Sequence, residues 1–173
     1  MIIGEEVQLI PLNDECFELI LKWVNNPEQR RLTGTRFPVS KIEHEIWFKE
    51  KAMDKYNKTY AIQSKETNEI IGLVGNKDYD VINRSTCPFI FIGETGLRGK
   101  GLGTEALLLF SEFCFNELNV HKLFAYIYDY NMVSRKLFEK CGYVLEGILK
   151  LHWYKDGTYH DVLIMGRFKD ETK

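Results

Sequence analysis

At 173 residues, 45% of them hydrophobic, the chain has the size of one ordinary domain around a single core, so residues 1–173 are read as one domain. A formal net charge of −2 and a pI of about 6.1 leave no global basic field for nucleic acid or an anionic membrane surface. The opening residues lack a basic stretch followed by an apolar run, and no segment reaches the length of a membrane span, so a cytoplasmic protein acting on small molecules is expected. Cys16, Cys87, Cys114 and Cys141 are scattered without metal-ligand spacing, which points to reduced, buried thiols and no metal.

In chain order, Val7 to Leu12 reads as a strand, and Asn13-Asp14-Glu15 as the cap and acidic first turn of a helix whose apolar face is Phe17, Ile20, Leu21 and Val24. Trp23 is read as core, and a loop rich in Arg and Gly is expected from Arg30 to Pro38. Ser40-Lys-Ile-Glu43 is a capping box that opens a second helix to about Met53, with Ile46 and Trp47 inward. Thr59–Ser64 and Glu69–Asn76 form a strand pair, and the Ile- and Phe-rich run from Phe89 suits a strand buried on both faces. A long apolar helix follows from Thr104. Lys122–Tyr128 is a strand, Met132–Lys140 a helix ended by Gly142, and Val144–Tyr154 and Thr158–Phe168 are strands joined by Asp156-Gly157, a strong hairpin signal.

The most informative stretch joins the Phe89 strand to the long helix through Arg98-Gly99-Lys100-Gly101-Leu102-Gly103-Thr104. A helix start leaves backbone N–H groups without intrahelical partners and carries roughly half a positive charge, so phosphates settle there. Glycines let a ligand approach the backbone, and Arg98 and Lys100 add charge. A tight strand-to-helix turn needs the same glycines. Two familiar phosphate loops fail: no Lys-Ser/Thr pair follows Gly101, and Thr104 stands where a dinucleotide fingerprint begun at Gly99 needs its third glycine.

What the stretch does fit is Arg/Gln-x-x-Gly-x-Gly, which resembles the acetyl-coenzyme A pyrophosphate loop of the GNAT N-acetyltransferase superfamily. Asn131-x-x-Ser134 leading to Gly142-Tyr143 resembles that superfamily's later Asn-x-x-Ser/Ala helix. Asn83-Arg84, Ile92-Gly93-Glu94 and Tyr154 to Asp161 resemble its RimJ/RimL-type branch. The resemblance covers essentially the whole chain. It implies an α/β fold of the α+β kind: a mixed, mostly antiparallel central sheet flanked by helices, in which the fourth and fifth strands splay apart.

The resemblance further implies that acetyl-CoA is the co-substrate. Phe91, Ile92 and Gly93 would pair with its pantetheine arm, and Arg98, Gly99, Lys100, Gly101, Leu102, Gly103 and Thr104 would hold its pyrophosphate. Asn131 would bond the arm with Ser134 close by, although Asn131 equally serves as a helix cap. Catalytic groups are harder to place. Phe138 stands where many relatives carry a Tyr, and Thr86 to Phe89 where the branch carries a Glu. Glu94, at a strand end, and Tyr130, beside Asn131, are the remaining candidates, with a solvated loop acid and an aromatic packing residue as their alternatives. Cys87 as a nucleophile lacks a neighbouring base in sequence and reads better as a structural thiol.

The expected reaction is direct transfer of an acetyl group to a primary amine of a small molecule or a protein N-terminus. A non-catalytic acyl-CoA binding module, or within the enzyme class an amino-sugar or polyamine acetyltransferase, are the competing readings. Arg30, Arg31 and Arg36 suit an anionic acceptor, whereas Asp78 and Asp80 suit a polycation. The C-terminal hairpin and the N-terminal helices are two faces through which a homodimer can form.

Overall fold

The computed structural model describes residues 1–169. Its strands are β1 (Ile2–Ile3), β2 (Val7–Pro11), β3 (Thr59–Ser64), β4 (Ile70–Asp80), β5 (Ser85–Ile92), β6 (Lys122–Tyr128), β7 (Val144–Lys155) and β8 (Thr158–Phe168). The α-helices are α1 (Asp14–Asn25), α2 (Pro27–Leu32), α3 (Lys41–Met53), α4 (Leu102–Asn116) and α5 (Met132–Lys140). The strands make one sheet in the order β1-β2-β3-β4-β5-β6-β8-β7, antiparallel throughout except where β5 meets β6. Adjacent strand residues point to opposite faces, which divides the core in two. Val74 packs with Leu107 and Phe110 of α4 on one face, while Leu73 packs with Ile20 and Trp23 of α1 on the other.

The expected mixed, mostly antiparallel sheet flanked by helices is what forms. Four local expectations give way. The Arg30–Pro38 loop begins with the last turn of α2, because Asn26 caps and Pro27 occupies the first helical turn, where its missing N–H costs nothing. Ile46 points to solvent at 55% exposure, since the inward stripe of α3 is His44, Trp47 and Phe48. His44 is buried because its Nε2 meets the Phe17 carbonyl at 2.8 Å and its ring stacks on Trp47. A short first strand, β1, also escaped the sequence pattern.

The fourth correction matters most. β5 is buried at Thr86, Cys87 and Pro88 but only half-buried from Phe89 to Ile92. It runs parallel to β6 for two residue pairs, Ser85 with Lys122 and Thr86 with Leu123, and then parts from it. The register explains why. The Gly93 N–H donates to the Ile71 carbonyl, so Phe91 and Phe89, opposite Leu73 and Gly75, also turn their amides toward β4. By the same alternation Thr86, Pro88, Ile90 and Ile92 turn their main chains toward β6. Pro88, the next residue after Thr86 to face that way, has no N–H to donate there, and the ladder to β6 ends at Thr86.

The base of this fork is fixed by a buried amide. Asn76 accepts from the Lys58 N–H at 2.9 Å, donates to the Tyr56 carbonyl at 3.1 Å and to Thr86 Oγ1 at 2.9 Å, and Thr86 Oγ1 in turn donates to the Lys77 carbonyl. Asn76→Ala strips partners from three groups, among them the buried Thr86 hydroxyl, and is expected to lower stability by about 3 kcal/mol, read from urea unfolding.

Candidate functional site

Beyond Thr86 the separation of β5 and β6 opens a cleft of about 810 Å³. It lies at the carboxyl ends of the two parallel strands, so the helices that follow each strand, α4 and α5, both begin at its rim. Ile92 and Ile90 form one wall, Ala125, Ile127 and Tyr128 the other, and Cys87 lies on the wall near the apex. The wall of β5 therefore presents its own amides and carbonyls rather than a neighbouring strand's.

At the rim, α4 starts at Gly101 with φ of 89° and no side chain capping its first turn. The starts of α1, α2, α3 and α5 are all met by a side chain, from Asn13, Asn26, Ser40 and Asn131 respectively. A side chain at Gly101 would meet nothing in the protein, so the reason for glycine is the left-handed backbone and the open approach it leaves to the helix end. Glu105, in the first turn of α4, is turned away: its carboxylate accepts the N–H groups of Glu5 and Glu6. The rim thus keeps a bare helix terminus with its partial positive charge.

Of the residues the sequence nominated, Phe91, Ile92, Arg98, Gly99, Gly101, Gly103, Thr104, Asn131 and Ser134 line this cleft. Gly93, Lys100 and Leu102 do not. The Gly93 N–H donates to Ile71 and its carbonyl accepts from Gln29 Nε2 at 2.7 Å, while Trp23 lies so close that an added Cβ would come within 2.1 Å of its ring. Strand alternation turns the Phe91 main chain toward β4 as well, which leaves Ile92 as the one member of that trio whose backbone faces the gap. Arg98 folds its guanidinium onto the Ile92 carbonyl, at 2.9 Å from Nη2. Asn131 spends its side chain on the protein: Oδ1 accepts from the Ser134 N–H and Nδ2 donates to the Leu32 carbonyl.

Neither expected catalytic group lies on the cleft wall. Glu94 accepts the Trp23 indole N–H at 3.1 Å, and Tyr130 stacks behind Tyr128. Tyr128 does line the cleft and was not nominated by the sequence reading. Its ring stacks with those of Tyr130 and Trp153, with centroids 5.6 and 4.6 Å away, and Arg36 lies 4.0 Å over the Trp153 ring. Burial raises the Tyr128 hydroxyl above its ordinary value of 10.0, so it holds its proton at neutral pH. The only advance signal was strand parity, which puts Tyr128 and Tyr126 on one face of β6. Burial also pushes the Cys87 thiol up to about 11, so it is no nucleophile at neutral pH.

A forked parallel pair beside an uncapped, glycine-initiated helix is thus the frame of the site. The sequence matches the family described as an acetyltransferase (GNAT) domain over residues 6–144. The chain belongs to this family. It is 29% identical over 168 residues, 97% of this chain and 93% of the relative, to an uncharacterized N-acetyltransferase, YokL, of Bacillus subtilis. It is 27% identical to a spermidine N(1)-acetyltransferase of Escherichia coli, over 97% of this chain and 89% of that one. A crystal structure of the spermidine N-acetyltransferase from Vibrio cholerae in complex with CoA and spermine superposes with a TM-score of 0.86 at 25% identity, covering 95% of this chain and 96% of the other.

The protein is an acetyl-CoA-dependent N-acetyltransferase. The fork and the α4 terminus fit that co-substrate: Ile90 and Ile92 offer main-chain partners to an amide-bearing arm, and Leu102, Gly103 and Thr104 offer N–H groups to a diphosphate. Acetyl-CoA supplies a thioester-activated acetyl group. Among the described residues no helix is long and apolar enough to cross a membrane.

All four cysteines are free and buried, and burial raises the thiols of Cys16, Cys87, Cys114 and Cys141. Iodoacetamide at pH 8 is expected to leave native protein unlabelled within the time that labels all four in urea, as read by intact mass.

Proposed function

We propose that the acceptor is the primary amine of a small aliphatic molecule, with polyamines the first class to try, and that Tyr128 donates the proton required by the departing thiolate. The observation that carries the transferase reading is the fork itself, with its main-chain wall and bare helix terminus at one rim. The acceptor class is supported by what the loop arginines do. Arg31 pairs with Asp156 at 3.4 Å and Arg36 stacks on Trp153, so two of three cations that would favour an anionic acceptor already serve the docking of this segment on the β7–β8 hairpin. Lys155, reaching the Arg30 carbonyl at 3.4 Å, reinforces the same contact. Asp80 caps the turn between β4 and β5 by accepting from the Ile82 and Asn83 N–H groups, and so does not speak for a polycation either. The relatives named for spermidine supply that part of the argument.

The chain is read as one N-acetyltransferase domain acting in the cytoplasm, and Asn83-Arg84 with the C-terminal hairpin support a RimJ/RimL-type placement within the family. A homodimer through the hairpin remains part of this reading, since β7 is an edge strand with exposed Val144, Leu145 and Ile148. In the chemistry, Ile92 and its neighbours orient the arm, the α4 terminus anchors the phosphates, and the stacked Tyr128 holds a proton at its hydroxyl. Proton donation of this kind contributes roughly 100-fold or more.

Thiol release from acetyl-CoA, measured against spermidine, n-butylamine, glucosamine 6-phosphate and a short peptide, tests the acceptor. Release is expected with the two aliphatic amines. Preference for the phosphorylated amino sugar would contradict the assignment. Gly101→Glu is expected to abolish coenzyme A binding in calorimetry by bringing charge and bulk to the helix end. Tyr128→Phe is expected to lower kcat about 100-fold while acetyl-CoA affinity holds. Because the hydroxyl lies above its ordinary range, it adds no alkaline loss of wild-type activity below about pH 10. If Tyr130→Phe removes activity and Tyr128→Phe does not, the proton donor is misassigned.

A further inference from the structure

A second, smaller pocket of about 130 Å³ adjoins the cleft and shares Phe91 and Thr33 with it. It lies on the other face of the sheet, between α1, α2, α3 and the strands. Trp23, Trp47 and Phe91 supply aromatic walls, and Val24 an aliphatic one. Gln29 also lines it and is 4% exposed. Its Nε2 is committed to the Gly93 carbonyl, and since a carbonyl can only accept, the amide orientation is fixed and Oε1 is the remaining end. That Oε1 is buried with no hydrogen-bond partner.

A buried carbonyl oxygen without a donor costs on the order of 1–3 kcal/mol, an expense that a folded protein rarely carries without a use. We infer that this pocket is the acceptor subsite, in which Gln29 Oε1 accepts an N–H of an alkylamine whose methylenes lie against Trp23, Trp47 and Phe91. The inference rests on the amine-acceptor reading above and adds the residue that selects for it. Three aromatic rings and a carbonyl suit an ammonium head, through its N–H donors and through attraction to the ring faces. Among the described residues no cation lines the pocket. Glu94 accepts from the indole nitrogen of the pocket residue Trp23, where its carboxylate strengthens the attraction for a positive head and acts as a positioning group. Such a pocket also favours the neutral form of a bound amine more than water does, because desolvation disfavours the charge. The same Gln29 that reads the acceptor holds Gly93, the residue at the end of the cleft-lining strand, so the two sites share one side chain.

The test is a titration with n-butylamine followed on the indole N–H resonances of Trp23 and Trp47, with and without saturating coenzyme A, in wild type and two variants. Gln29→Met removes the acceptor at nearly constant size, and Val24→Phe fills the pocket while leaving the Gln29–Gly93 bond in place. The subsite predicts saturable shifts at Trp23 and Trp47 but not at Trp153, with affinity reduced at least about tenfold in each variant, as expected for one lost hydrogen bond to a charged group. In Val24→Phe, coenzyme A affinity should stay within about twofold, and in both variants steady-state KM for n-butylamine should rise by the same factor as its dissociation constant. Absence of saturable shifts, unchanged affinity in either variant, or n-butanol binding as tightly as n-butylamine would overturn the proposal. Gln29-dependent binding with no thiol release from acetyl-CoA would instead overturn the acetyl-acceptor reading and leave the pocket's ligand chemistry standing.

Discussion

Two strands that run parallel for two residue pairs and then separate set the terms for the rest of this molecule. A sheet interior normally pairs every backbone amide, and here the pairing stops because Pro88 has none to give on the β6 side. The consequence is a wall of β5 whose Ile90 and Ile92 main chains face a cleft instead of a neighbour. Because β5 and β6 are parallel, their carboxyl ends lie together, and the two helices that leave them must start at the same rim. The site is therefore a product of topology first and of side chains second. Asn76 and Thr86 clamp the fork at its base, which keeps the opening confined to the carboxyl half of the strands.

A second constraint ties α2 to the β7–β8 hairpin. Pairwise ring contacts among Arg36, Trp153, Tyr128 and Tyr130 join the segment after α2, the β7–β8 hairpin, the last residue of β6 and the turn after it. Around them, Arg31 with Asp156 and Lys155 with the Arg30 carbonyl hold the two segments together at the surface. These exposed pairs contribute little stability singly, and their value is in placing α2, hence Gln29, against Gly93. His160 adds support from below, edge-on to Tyr130 and 3.1 Å from Asp129. The geometry on this side of the cleft is thus set by packing between distant parts of the chain.

That division explains what could be read in advance. The glycine-rich helix start was legible because its chemistry belongs to the backbone, and residue types alone announce where a backbone is exposed. Asn131 was legible as a cap for the same reason, and its second bond, to Leu32, was not, since it reaches 99 residues away in the chain. Tyr130 was preferred over Tyr128 because adjacency to a motif is visible in sequence while stacking between a hairpin and a strand is not. Ile46 was misplaced because an α3 stripe that contains a buried His44 looks weakly amphipathic until the Phe17 carbonyl that satisfies the imidazole is known. The half-burial of Phe89 to Ile92 could have been suspected from Pro88, whose position relative to the ladder depends on register.

The most direct test of the central claim is amide hydrogen exchange with and without coenzyme A, resolved to single residues by NMR. If the fork and the bare α4 terminus are what hold the co-substrate, the amides of Ile90, Ile92, Leu102, Gly103 and Thr104 gain protection on binding, while those of Phe89 and Phe91, already directed at β4, change little. Tight binding of coenzyme A with protection gained elsewhere, or with no difference between the two sets of β5 amides, would contradict it.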